Sequence, residues 1–146
     1  MTIGVVLAAA GRGVRLGAGA PKAYLALRGR ALLEHSLAPF LARPDVTAVA
    51  VVVGDPAAMP DFETARDARV RIVTGGVERQ DSVRAGIAAL GEVDLILVHD
   101  AARPLVTAAL VEAVAGAAAR HGAAIPAVAV PETVKRVDDQ ARVLET

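Results

Sequence analysis

The sequence predicts one α/β domain built on a mostly parallel sheet. Three observations lead there. Short apolar runs alternate with amphipathic helical patterns along the chain. The runs are rich in Val, Leu, Ile and Ala without polar alternation, as strands covered on both faces require. Most of the runs end in glycine or a polar residue, which suits a ligand rim beyond the carboxyl ends of the strands. The length of 146 residues is that of a single domain with a sizeable core.

The elements follow in order. Ile3–Ala8 is a buried strand that empties into a loop of small residues, Ala8-Ala9-Ala10-Gly11-Arg12-Gly13. Apolar spacing predicts a helix over Ala31–Leu41 and a weaker one over Ala57–Arg66, on either side of a strand at Ala48–Val53. A strand at Val70–Val73 leads through Gly75-Gly76 into a helix over Glu78–Leu90. Leu95–Val98 is the next strand. Thr107 is a plausible N-cap for a helix over Ala108–His121, and Gly122 its stop. The run Ala124–Val130 reads as a fifth buried strand. Residues 131–146 form two short charged strands around Asp138-Asp139-Gln140 and read as an arm of the kind that pairs with a partner subunit. The expected organisation is therefore a nucleotide-binding core over 1–130 and a dimerisation arm over 131–146.

Composition excludes several functions. Aromatics are limited to Tyr24, Phe40 and Phe62, so a stacking platform for single-stranded nucleic acid is not expected. Sixteen basic and sixteen acidic residues leave no global field for DNA or a membrane surface. With no cysteine there is no thiol catalysis, disulfide framework or Cys-based zinc site. No segment approaches a membrane span and no basic, apolar leader opens the chain, so a soluble cytoplasmic protein is the default.

Chemistry concentrates in three segments. In the opening loop, glycine and alanine let backbone N–H groups approach a polyanion, and Arg12, Arg15 and Lys22 supply charge. The glycines alone fit a simple turn equally well; the cations favour phosphate. The stretch Gly75-Gly76-Val77-Glu78-Arg79-Gln80-Asp81-Ser82 is either a plain strand-to-helix turn or an edge that reads a base, with Gly76 letting the backbone approach a ring and Ser82 offering a rotatable hydroxyl. In His99-Asp100-Ala101-Ala102-Arg103-Pro104, Asp100 suits a cation or a hydroxyl and Arg103 a phosphate; the bland alternative is an Asp–Arg ion pair capping the sheet. His99 reads as a buried, hydrogen-bonded orienting residue rather than a catalyst, and His35 and His121 receive no role. No nucleophile–base pair or paired carboxylates are visible. Cations, glycines and one or two acids are the means of phosphoryl or nucleotidyl transfer.

In the order AAAGRGVRLG…PKAYL, GGVERQDSV, VHDAARP and PETVKR, these segments resemble the 2-C-methyl-D-erythritol 4-phosphate cytidylyltransferases, and the likeness runs from end to end. The resemblance implies a three-layer, mostly parallel Rossmann-like sheet of the nucleotide-diphospho-sugar transferase type with a β-arm near the C-terminus. It implies that CTP and the polyol phosphate are joined with release of pyrophosphate. Ala9, Ala10, Gly11 and Gly13 would line the CTP, with Gly76 and Ser82 reading cytosine. Arg15 and Lys22 would stabilise the reacting α-phosphate. Asp100, Ala101 and Arg103 would hold the acceptor or the metal-bound phosphates, and Thr133 would reach the neighbouring subunit's site in a homodimer. Mg²⁺ is the implied cofactor, with Asp100 its candidate ligand. Ala23 stands where the family usually has Gln, and Val77 where it often has an acid. The family's chains are expected to continue through a C-terminal third that this sequence lacks. Three rivals stand beside this reading. A related enzyme such as a ribitol-phosphate cytidylyltransferase would share the loop, and a non-catalytic nucleotide-binding fragment is the second. In the third, Gly11, Gly13 and Gly17 would begin a dinucleotide-binding fingerprint, but the acid expected about 20 residues on is replaced by Arg28 and Arg30.

Overall fold

The computed structural model describes residues 1–11 and 21–145. Four parallel strands form the sheet: β1 (Ile3–Ala8), β4 (Val46–Val53), β5 (Val70–Thr74) and β6 (Leu95–Asp100), in the order β5-β4-β1-β6. A small hairpin, β2 (Ala26–Leu27) with β3 (Arg30–Ala31), lies between β1 and helix α1 (Leu32–Leu41), and His35 Nε2 is 2.8 Å from the Leu27 carbonyl. Helices α2 (Arg79–Leu90) and α3 (Ala108–His121) flank β6 in sequence.

Alternation along the strands separates two apolar layers. Ile3, Val5 and Leu7 of β1 pack with Val49, Val51 and Val53 of β4 and with Leu33, Leu37, Phe40, Val111 and Ala115 of α1 and α3. The intervening residues Val6, Ala48, Ala50 and Val52 face the other way, onto Leu90 of α2. Slipping either strand by one residue would exchange these faces, so burial fixes the register. The chain first winds from β1 through β4 to β5, then crosses back to place β6 on the other side of β1. That reversal is the topological switch point at which ligands of such sheets bind.

Except for one strand and one helix, the predicted elements are found with small shifts of their ends, though β5 and β6 are not the buried strands expected, with Ile72, Ile96 and Val98 exposed. Thr107 Oγ1 accepts the Leu110 N–H at 3.2 Å, and Gly122 takes φ 84°, so both signals for α3 act as read. Two expectations fail. The helix over Ala57–Arg66 is replaced by two 3-10 turns, Pro56–Ala58 and Glu63–Arg66. Pro60 holds Met59 extended (φ −75°, ψ 127°) and offers no N–H to a helix. The run Ala124–Val130 is not a strand. Apolar content makes a strand only where a ladder accepts it, and here Pro126 lacks a donor, while Ile125 and Val128 stand 87% and 91% exposed. Residues 122–126 instead border an apolar groove along β6 and α3.

The arm is a hairpin of β7 (Arg136–Val137) and β8 (Val143–Glu145). Asp138 closes its turn by accepting the N–H groups of Gln140 and Arg142, each at 2.9 Å. No described helix is long and apolar enough to cross a membrane.

Helix α2 lies close on the sheet at Gly86, where a Cβ would stand 2.6 Å from Val6 Cγ1 and 2.9 Å from Val52 Cγ2. Gly86→Val is expected to lower the unfolding free energy by about 1–3 kcal/mol, read as a lower urea midpoint at unchanged slope.

Candidate nucleotide site

Three of the strand ends converge. Ala8 closes the ladder of β1 opposite Val52 on one side and Asp100 on the other. Beyond it, the Ala9 N–H donates to the Val52 carbonyl at 2.7 Å and the Ala101 N–H to the Ala8 carbonyl at 2.9 Å. The loops after β1, β4 and β6 therefore leave the sheet at one level. The loop after β5 joins them through Gly75, whose N–H donates to the Val53 carbonyl at 2.7 Å. A Cβ on Gly75 would lie 2.7 Å from both Ala10 Cβ and Ser82 Oγ. Glycine is required there for the opening loop and the start of α2 to meet.

Ser82 is buried, and its hydroxyl is already engaged. Oγ donates to the Glu78 carbonyl and accepts the Gly76 N–H, both at 3.2 Å. One acceptor lone pair remains. Ser82 thus shapes the Gly76 loop, as the plain-turn alternative requires.

Asp100 is ion-paired with Arg103 (Nε to Oδ2, 3.0 Å), as the structural alternative anticipated. It is also paired with Arg79 (Nη2 to Oδ1, 3.0 Å), which the sequence does not reveal because the partners lie on different loops. Ala101 is fully buried; its N–H goes to Ala8, and its carbonyl accepts the Ser36 hydroxyl of α1 at 2.8 Å. These two hydrogen bonds anchor the turn beneath Asp100 and leave the Ala101 carbonyl one further acceptor lone pair.

Lys22 stands exposed on a 3-10 turn, Lys22–Tyr24, that the core holds. Ala23 is buried beneath it, and Tyr24 packs on Phe62 with ring centroids 5.7 Å apart. Burial, with the nearby Asp55 carboxylate at the end of β4, pushes the Tyr24 hydroxyl above its ordinary pKa. Ala9 is buried, Ala10 half-buried and Gly11 exposed, so the opening loop rises out of the core one residue at a time. Gly13 and Arg15 lie outside the described residues. Thr133 is exposed on the segment leading to the hairpin, among neither the strands nor the rim loops. Among the described residues, no three metal-ligating side chains cluster.

His99 is hydrogen-bonded as expected, and half-buried rather than buried. Its Nε2 lies 3.1 Å from the Arg103 carbonyl, and its ring packs on Phe40 at 5.5 Å. Burial lowers its pKa, outweighing the hydrogen bond and Asp100, which raise it. The folded ring therefore resists protonation, while the unfolded ring titrates near about 6.5. Between these values the unfolded chain binds more protons, so stability falls as pH drops below about 6.5. Denaturant unfolding at about pH 7 and about pH 5.5 should show this loss, and His99→Gln should flatten it.

Comparison with known proteins agrees with the geometry. Residues 3–146 match the family described as IspD, 2-C-methyl-D-erythritol 4-phosphate cytidylyltransferase. The chain is 46% identical over 145 residues to the bifunctional enzyme IspD/IspF of Rhodopseudomonas palustris (strain HaA2), covering 97% of this chain and 36% of that protein. The crystal structure of 4-diphosphocytidyl-2C-methyl-D-erythritol synthase from Anaerococcus prevotii superposes with a TM-score of 0.84 at 28% identity, covering 99% of this chain and 63% of that one. The 2-C-methyl-D-erythritol 4-phosphate cytidylyltransferase of Thermus thermophilus gives 0.74 at 38% identity, covering 99% and 64%. The chain thus spans about a third of the length of the curated relative and less than two thirds of each solved structure. The chain belongs to the 2-C-methyl-D-erythritol 4-phosphate cytidylyltransferase family.

Proposed function

We propose that this chain carries the nucleotide-binding part of a cytidylyltransferase that joins CTP to 2-C-methyl-D-erythritol 4-phosphate in isoprenoid biosynthesis. The observation that supports it most is the meeting of the opening loop, the Gly75–Ser82 turn and the Asp100–Arg103 turn at the switch point.

In this reading a phosphate oxygen of the acceptor attacks the α-phosphorus of CTP. A new P–O bond forms, the bond between the α-phosphorus and the bridging oxygen breaks, and pyrophosphate leaves with the electron pair. Both reactants are anions, so cations must hold them together. Lys22 and Arg15 take that role. Ala9, Ala10, Gly11 and Gly13 line the nucleotide with backbone and small side chains. Gly76 and the remaining lone pair of Ser82 face the base, and that lone pair accepts from the cytosine amino group. Arg103 holds a phosphate. Mg²⁺ bound to the triphosphate would take up negative charge on its oxygens. The donor set fits such an ion only in part: Asp100 is the protein's candidate ligand, and phosphate and water oxygens would supply the rest. The cytoplasm is the expected setting.

A homodimer belongs to the same proposal. The hairpin and its approach expose Val134, Val137, Val143 and Leu144. A charged arm that exposes these apolar side chains suits a second copy of the chain, into whose site Thr133 would reach.

Pyrophosphate release from CTP, methylerythritol 4-phosphate and Mg²⁺ is the test. Lys22→Ala is expected to lower the rate by about 10²–10³-fold and to shift stability by less than about 0.5 kcal/mol, since the side chain is exposed. Turnover with ribitol 5-phosphate in place of methylerythritol phosphate would assign the related acceptor. CTP binding without turnover would favour a non-catalytic nucleotide-binding role.

A further inference from the structure

Asp100 is gripped from two sides by residues of unequal freedom. Arg103 is local: it lies three residues on, and its N–H donates to the Asp100 carbonyl at 3.0 Å. That bond keeps the Arg103 backbone beside the acid. Arg79 comes from the other loop, as the first residue of α2, in the same turn as Gly76 and Ser82. One carboxylate cannot neutralise two guanidiniums, so the trio keeps a net positive charge. The side chains of Arg79 and Arg103 are 65% and 76% exposed, against 33% for Asp100. Ion pairs this open are held weakly, and a more highly charged anion competes well for them.

We propose that Arg79 is an exchangeable phosphate-binding residue. It is parked on Asp100 in the free protein and transfers to a phosphate of a bound nucleoside triphosphate. The same movement releases Asp100 Oδ1 from its guanidinium. The acid thus becomes available on the nucleotide side of the site only when a polyanion has taken Arg79 away. This rests on the nucleotide-binding reading above and adds a residue to it.

The test is calorimetric affinity without divalent cation, for CTP and separately for inorganic triphosphate. Arg79→Ala is expected to weaken both about tenfold, the effect of losing one charge-assisted hydrogen bond, and Arg79→Lys to recover part of it. Asp100→Asn is expected to tighten both, because Arg79 no longer has to leave a partner. Adding Arg79→Ala to Asp100→Asn should abolish that gain. A gain that survives in the double variant would mean general relief of charge and would overturn the exchange. So would wild-type CTP binding that Arg79→Ala leaves unchanged, while sparing the nucleotide reading. Failure of every variant and of the wild type to bind CTP or triphosphate would overturn both. In the free protein, the Arg79 guanidinium NMR signal should shift on Asp100→Asn; no shift would overturn the parked state directly.

Discussion

Strand β1 pairs with a parallel neighbour on each side, and the rest of the molecule is arranged around those two ladders. Their register is set by burial, since Val5 and Leu7 face one apolar layer and Val6 the other. Their common end sets where the loops emerge. Ala8 is the last paired residue of β1, and Asp100 stands directly opposite it. Two further backbone hydrogen bonds, at Ala9 and Ala101, carry the order one residue past the strands. The acid, the small-residue loop and the start of α2 are therefore placed by main-chain geometry before any side chain is considered.

Beneath the rim, the supporting contacts link separate layers. Ser36 on α1 donates to the Ala101 carbonyl, tying a helix to the turn that carries Asp100 and Arg103. His99 holds the far end of that turn through the Arg103 carbonyl. At the opposite edge of the sheet, Arg69 joins Asp67 and also donates to the carbonyls of Leu41, Arg43 and Val46, closing the C-terminal end of α1. That guanidinium holds the Asp67 carboxyl down at about 2. One end of the sheet is thus stapled by charge, while the other is left to small residues and exposed ions.

Much of this is legible in the residues because it is local. Apolar runs, an N-capping threonine and a terminating glycine mark their elements without knowledge of the fold. The rim segments can be found because glycine and polar residues follow directly on apolar strands. What cannot be read is what depends on partners distant in sequence. Arg79 looks like an ordinary first-turn residue until the fold sets it against Asp100. The Ser82 hydroxyl looks free until the Gly76 loop closes on it. Ala124–Val130 has the composition of a buried strand, yet strand formation depends on an available ladder. Over Ala57–Arg66 two local signals conflict, apolar spacing and Pro60, and the proline prevails.

The close fit of Gly75 between Ala10 and Ser82 carries a consequence for how such a site changes over time. Where segments meet through backbone and methyl groups, exchanging one side chain for another alters little, because few side chains reach into the contact. New specificity has to come from moving the main chain: lengthening a loop, shifting the first turn of a helix, or swapping a glycine for a bulkier residue and letting the neighbouring segment retreat. A site of this architecture is therefore expected to drift through insertions and loop rearrangements, while Asp100, at the end of its strand, stays where the ladder puts it.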